Sequence, residues 1–145
     1  MLIIDGHNLI GASRDIRLSD PDAKEKLIDK LKLFEQITNN KIIVVFDGRG
    51  YGDFEVTNDD NLEIRYPSGN LTADDVLFDL INKYSGNSSV KIISSDNQII
   101  KEAKYHRLTS IKSNDFIIKL NKKISTSNQP KIDVDDWVRY FNKKR

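Results

Sequence analysis

Met1-Leu-Ile-Ile-Asp-Gly-His-Asn-Leu-Ile-Gly-Ala12 decides the fold. An apolar run leads straight into Asp5, and Gly6 breaks it before His7 and Asn8. So short a run, ended by Asp-Gly, reads as a strand buried on both faces, as in parallel sheets. Its carboxylate then stands at the carboxyl edge of the sheet, where open α/β folds bind their ligands. Lys41-Ile-Ile-Val-Val-Phe-Asp47 and Val90-Lys-Ile-Ile-Ser-Ser-Asp96 end in the same way.

Between these runs the chain reads as helix, turn and strand. Asp20-Pro21-Asp22 offers an N-cap and a first-turn proline, and Leu27, Leu31 and Phe34 follow at helical spacing to about Ile37. Thr38-Asn39-Asn40 closes that helix. Gly48-Arg-Gly-Tyr-Gly52 is a loop, and Leu62-Glu-Ile-Arg-Tyr66 is a strand after a turn cluster at Asn58 to Asn61. Thr72-Ala-Asp-Asp75 has the capping-box pattern, with Asp for the usual Glu, ahead of a face of Val76, Leu77, Leu80, Ile81 and Tyr84.

A helix from about Asn97 to Lys104 and a strand near Leu108 to Ile111 come next, and Ser113 caps a helix carrying Phe116, Ile117 and Leu120. Ser125 to Pro130 reads as a polar linker. Asp133-Val-Asp-Asp136 caps a last amphipathic helix at about 133–142, with Val134, Trp137, Val138 and Phe141 on one face. Strands alternating with helices predict an α/β fold with right-handed crossovers and a mostly parallel five-stranded sheet. The expected order is 3-2-1-4-5, in a single domain over 1–145. That order sets Asp5 and Asp96 side by side at the switch point, with Asp47 on the neighbouring strand.

With 145 residues, 38% hydrophobic and 31% charged, one folded domain with a core is expected. The 23 basic and 22 acidic residues nearly cancel, so net charge selects no partner, although Asn142-Lys143-Lys144-Arg145 is locally basic. The absence of cysteine excludes disulfides, thiolate metal sites and a cysteine nucleophile. No apolar run reaches membrane-spanning length and no charged leader precedes an apolar core, so a cytoplasmic protein without a membrane partner is the expectation.

Each acid has an ordinary reading: Asp5 and Asp47 as turn residues, Asp96 as a helix cap, Asp75 as the capping-box acid. Together they are harder to explain that way. Carboxylates gathered at one sheet edge repel one another unless a cation or protons sit among them. An all-oxygen donor set suits Mg²⁺ or Mn²⁺, and such ions serve phosphodiester hydrolysis. On the helix after Thr72, Asp74 falls at the border of the apolar face and Asp75 nearly opposite. Asp74 is therefore the expected ligand beside Asp5 and Asp96, with Asp47 and Asp75 as further candidates. Asn8 and Ser94 can donate to a carboxylate or a phosphate, while a cap or turn role for Asn8 stays equally open. His7 is expected at the rim.

At this point the motifs resemble a known family. Met1-Leu-Ile-Ile-Asp-Gly-His-Asn-Leu-Ile-Gly11, Val44-Val-Phe-Asp-Gly48, Thr72-Ala-Asp-Asp75 and Ile93-Ser-Ser-Asp96 are similar to successive motifs of NYN domains, of the PIN-like nuclease superfamily, and most so to the YacP-like branch. The resemblance implies a PIN-like three-layer sandwich and a metal-dependent endoribonuclease, with Asp5, Asn8, Asp74 and Asp96 matching the family's acidic site. It also implies RNA as partner, with messenger RNA at the ribosome as one setting; a monomer or homodimer is the expected state. A substrate strand needs cations outside the acids, for which Arg14, Arg17, Arg49, Arg65, Lys101 and Arg107 are candidates, and Tyr51 could stack on a base. Two other readings compete. One is an RNA- or ribosome-binding module that keeps the pocket without catalysis. The other is a receiver-like phosphoacceptor domain, which lacks here both the paired acids after the first strand and the lysine after the last.

Overall fold

Leu2–Asp5 (β1) is buried along its whole length, and so is Ile42–Val45 (β2) beside it. Strands without a solvent face must lie inside a sheet covered on both sides. The computed structural model, which describes residues 1–47 and 61–126, shows that arrangement. Leu62–Arg65 (β3), Lys91–Ile93 (β4) and Thr109–Ile111 (β5) complete a parallel sheet in the order β3-β2-β1-β4-β5. The expected α/β architecture and strand order are those observed.

The helices are Gly6–Ala12 (α1), Ala23–Thr38 (α2), Ala73–Lys83 (α3), Asn97–Tyr105 (α4) and Ser113–Thr126 (α5). Alternate strand residues face opposite layers. Leu2, Ile4, Ile42 and Val44 pack with Leu27, Leu31, Phe34, Phe116 and Leu120 of α2 and α5, and with Leu9 of α1. On the other face Ile3, Ile43 and Val45 meet Leu77, Leu80 and Ile81 of α3, and Ile99 and Ala103 of α4. Phe34 and Phe116 meet edge to face with ring centroids 5.5 Å apart. Such a pair adds about 0.5–1.5 kcal/mol to simple burial. The buried Lys30 ties α2 to its neighbours through an ion pair with Asp15 at 2.6 Å and a bond to Asn121 Oδ1 at 2.8 Å. Burial alone would raise the Asp15 carboxyl, but hydrogen bonds from Lys30 and Ser13 outweigh it and hold it below the usual range.

Three local expectations are corrected. Asp5 and Gly6 do not form a simple turn: Gly6 opens α1, whose N-cap is Asp5. Asp20 does not cap α2; the cap position is Asp22, while Asp20 accepts from the Arg17 N–H at 3.1 Å and pairs with Lys26 at 3.3 Å. Ser125 and Thr126 belong to α5 and not to a linker. Asn39 closes α2 in the left-handed conformation, φ 61°, as an Asn at a C-cap can. The expected helix at about 133–142, with Val134, Trp137, Val138 and Phe141, lies outside the described residues, as do Arg49 and Tyr51.

Two glycines of α1 make opposite predictions. A Cβ on Gly6 would stand 2.6 Å from Phe46 Cδ1 and 2.9 Å from the Val45 carbonyl oxygen, so Gly6→Ala should cost about 1–3 kcal/mol through overpacking. A Cβ on the exposed Gly11 would meet nothing closer than Leu18 Cδ1 at 3.6 Å. Gly11→Ala should therefore stabilise by roughly 0.5–1 kcal/mol through helix propensity. Denaturant midpoints check both, and a neutral Gly6→Ala would refute the close approach.

Candidate functional site

In a parallel sheet all carboxyl ends lie along one edge, and the helices that follow them begin there. Residues closing a strand and residues opening a helix therefore become neighbours whatever their distance in sequence. Asp5, Asp47, Asp74, Asp75 and Asp96 reach this edge in that way.

Asp5 ends β1 and is 7% exposed. Its Oδ1 accepts the Asn8 backbone N–H at 3.4 Å, and its Oδ2 accepts the hydroxyl of the fully buried Ser94 at 3.0 Å. Burial pushes the Asp5 carboxyl up; the Ser94 and Asn8 bonds oppose this, and repulsion from Asp74 and Asp96 adds to it. Asp96 caps α4, with Oδ1 accepting from the Gln98 N–H at 2.9 Å, and its own N–H donates to Ser94 Oγ at 3.1 Å. Thus Ser94 joins the two acids. Asp75 closes the capping box of α3: its Oδ2 accepts the Thr72 N–H at 2.9 Å, and its N–H donates to Thr72 Oγ1 at 3.2 Å.

Asp74 is different. It is half-buried in the first turn of α3 and makes no hydrogen bond or ion pair among the described residues. Burial raises its carboxyl first, followed by repulsion from Asp96, Asp47 and Asp75. The ordinary readings of Asp96 and Asp75 as caps are realised, and Asp5, read as a turn residue, is a cap as well; Asp74 makes no such bond among the described residues.

Asn8 stands in α1, half-buried. Its Oδ1 accepts the Ser95 N–H at 2.8 Å and the Ser113 hydroxyl at 2.6 Å, while the Ser113 N–H donates to Ser95 Oγ at 2.9 Å. A backbone N–H can only donate, so the amide oxygen is fixed and its NH₂ group points elsewhere, unpartnered among the described residues. Neither serine was expected beside Asn8: Ser113 was read only as a helix cap, and it lies 105 residues from Asn8.

Lys24 was missed too, and topology could have found it. A crossover helix leading into β2 must begin at the carboxyl edge, which brings its first turn beside the end of β2. There the Lys24 ammonium donates to the Asp47 carbonyl at 3.2 Å and lies 5.0 Å from the Tyr66 ring centroid and 5.6 Å from that of Phe46. Asp47 itself is exposed, and His7 is exposed on α1. Among the other cations, Arg65 closes β3 at this edge and pairs with Glu63. Arg107 lies past the far end of α4 next to Gly86, at the opposite edge of the sheet from the acids. Arg14, Arg17 and Lys101 are exposed, with Arg14 beside a groove between α1 and α5.

The donors at this edge are oxygens of the kind Mg²⁺ and Mn²⁺ take. Among the described residues no three His, Asp or Glu side chains converge into a ready-made metal cluster. Mg²⁺ normally keeps several waters and takes one or two carboxylates together with substrate phosphate. The acids therefore fit a largely hydrated ion and not a caged one.

Comparison with known proteins gives one consistent outcome. The family model of the YacP-like NYN domain matches residues 2–139. The uncharacterized protein YacP of Bacillus subtilis (strain 168) is 31% identical over 80 residues, 52% of this chain and 47% of that protein. The match thus spans about half the length of that curated relative. The crystal structure of Rae1 (YacP) from Bacillus subtilis superposes with a TM-score of 0.72 at 20% identity, covering 99% of this chain and 82% of that one. A single-residue mutant of the same protein gives 0.69 at 20% identity, over 84% and 75%. At this identity the structures speak for the fold alone.

The electrostatics predict a pH-dependent stability. Asp74 binds its proton more tightly folded than unfolded, so stability falls as pH rises from the ordinary carboxylate range through the raised value. In metal-free buffer at pH 7, Asp74→Asn should therefore raise the melting temperature, and the gain should vanish below the ordinary carboxylate range. Asp75→Ala should instead lose about 1 kcal/mol with its cap. Melting curves between pH 3 and pH 7 test this, and a destabilised Asp74→Asn would give Asp74 a structural role.

Proposed function

The chain belongs to the YacP-like NYN domain family, and from that premise we propose that it is a metal-dependent endoribonuclease acting on single-stranded RNA. The observation that carries the proposal is Asp74, a half-buried carboxylate with no hydrogen bond or ion pair among the described residues, set where it repels Asp5 and Asp96. Such an arrangement costs stability without supporting any element, which is common at functional sites.

In this reading Asp5, Asp74 and Asp96 hold Mg²⁺ or Mn²⁺, with Asp47 as a further candidate. A bound ion would supply an activated water and neutralise charge on the phosphate. Asp75 supports the site indirectly by capping α3. Ser94 orients Asp5, and the Ser95–Ser113 pair orients Asn8 so that its NH₂ group can donate to a phosphate oxygen. Lys24 adds a positive charge beside Asp47 that offsets repulsion between the acids and an incoming backbone. A cleft at a sheet edge admits a flexible strand more readily than a stiff duplex, which favours single-stranded RNA. Messenger RNA at the ribosome is the setting implied by the family resemblance, and such an enzyme works in the cytoplasm. No helix among the described residues is long and apolar enough to cross a membrane.

A second reading, an RNA-binding module without catalysis, is favoured by the absence of a three-acid metal cluster among the described residues. One assay separates the two. A labelled unstructured RNA should be cut with Mn²⁺ and left intact with EDTA, and Asp5→Asn, Asp74→Asn and Asp96→Asn should each reduce the rate at least 100-fold. Cleavage that survives EDTA and these substitutions would refute the metal mechanism. RNA that binds and is never cut supports the second reading.

A further inference from the structure

At the amino edge of the sheet, opposite the acids, an open cavity of about 450 Å³ lies between the starts of β1 and β4, the end of α2 and residues of α5. Its floor is apolar, formed by Leu2, Phe34 and Phe116, with Ile37 36% exposed beside them. Lys91, Lys119 and Lys123 line it, and no Asp or Glu among the described residues does. Thr38, Asn40 and Ser89 add polar groups to the wall.

The lysines are the unexplained part. Lys26 and Lys30 pair with nearby acids, whereas Lys91, Lys119 and Lys123 form no ion pair among the described residues. Lys123 has an ordinary role in the last turn of α5, where a cation complements the helix dipole. Lys91 opens a strand and Lys119 sits mid-helix, so that explanation covers neither. Like charges around one concavity repel, and low-dielectric walls focus their field into it. Such a field suits an anion, and the floor suits an apolar or aromatic body attached to it. The volume falls within the ~300–1,000 Å³ usual for small-ligand sites.

We propose that this cavity binds a nucleotide-sized ligand through its terminal phosphate, held by Lys91, Lys119 and Lys123 over the Leu2–Phe34–Phe116 floor. The phosphate belongs to a free nucleotide or to the 5′ end of an RNA. The site is independent of the acidic edge and stands or falls without the nuclease reading.

The test uses the whole chain in EDTA, which keeps the acidic edge free of metal and unfavourable to phosphate. Adenosine 5′-monophosphate, adenosine, inorganic phosphate and an RNA tetranucleotide with or without a 5′-phosphate are titrated by calorimetry and by amide NMR shifts. AMP or the 5′-phosphorylated RNA should bind at least tenfold more tightly than adenosine and than inorganic phosphate, with shifts centred on Ser89, Lys91 and Lys119. A clear preference for the phosphorylated RNA identifies an RNA end as the source, and a preference for AMP a free nucleotide. Lys119→Glu combined with Lys123→Glu changes two exposed side chains and should lower the melting temperature by only a few degrees, through the lost helix-end cation, while weakening binding at least tenfold. Equal binding of AMP and adenosine, shifts confined to the acidic edge, no binding of any phosphate, or a double variant that binds like the parent would each overturn the proposal.

Discussion

Ser94 donates its hydroxyl to Asp5 across the seam between β4 and β1, and the acidic edge is built around that buried bond. A carboxylate as enclosed as Asp5 is expensive to keep charged, and the hydrogen bonds it accepts offset part of the cost. They do not remove the repulsion from Asp74 and Asp96. The same serine oxygen accepts the Asp96 N–H, so one hydroxyl positions the carboxylate ending β1 and the residue that begins α4. Because β1 and β4 are the strands at which the order reverses, a change at Ser94 disturbs both halves of the edge at once.

Most of this frame was legible. The β-branched runs before Asp47 and Asp96 identify buried parallel strands without ambiguity, and right-handed crossovers then leave few strand orders. Thr72 and Asp75 announced their capping box by spacing alone. Helix α1 was not legible, since Asp-Gly is an ordinary turn signal and Gly a poor helix former. Tertiary contact decided otherwise: glycine at position 6 lets the chain pass the Phe46 ring and the Val45 carbonyl closely enough to begin a helix at once. The α2 cap moved from Asp20 to Asp22 for a related reason, because Asp20 is engaged by Arg17 and Lys26. At the site, the acids could be read from strand ends. The serines fixing Asn8 could not, because their relation exists only after β4 and β5 have been laid side by side.

A cap role and a ligand role are not alternatives for Asp5 or Asp96. A cap occupies one lone pair, and an ionised carboxylate offers about four. The nearby helix N-termini carry partial positive charge that favours the ionised form. Good caps at a sheet edge are therefore also well-placed anions, and a cap found in the structure leaves the functional question open. Asp74 is more telling than its neighbours because it caps nothing among the described residues. Its carboxylate adds repulsion to a site already crowded with charge, and no hydrogen bond among the described residues compensates for it.

The near-zero net charge hides a polar distribution with a physical origin. Helices that cross a parallel sheet start at its carboxyl edge and end at its amino edge, so their dipoles favour acids at one and bases at the other. Asp74 and Asp75 open α3, while Lys83, Lys104 and Lys123 fall in the last turns of α3, α4 and α5. Segregation of charge is thus partly a property of the fold, and by itself it argues for no ligand at either edge. The informative residues are those with a feature the dipoles do not account for. At the carboxyl edge these are Asp5, a carboxyl buried in the core, and Asp74, which suits the dipole of α3 but is repelled by Asp96, Asp47 and Asp75 and makes no hydrogen bond or ion pair among the described residues. At the amino edge they are Lys91 and Lys119, which face one cavity and serve no helix end. The first pair asks for a cation and the second for an anion, so a phosphate-bearing substrate and a phosphate-bearing ligand would meet this domain at opposite edges of one sheet.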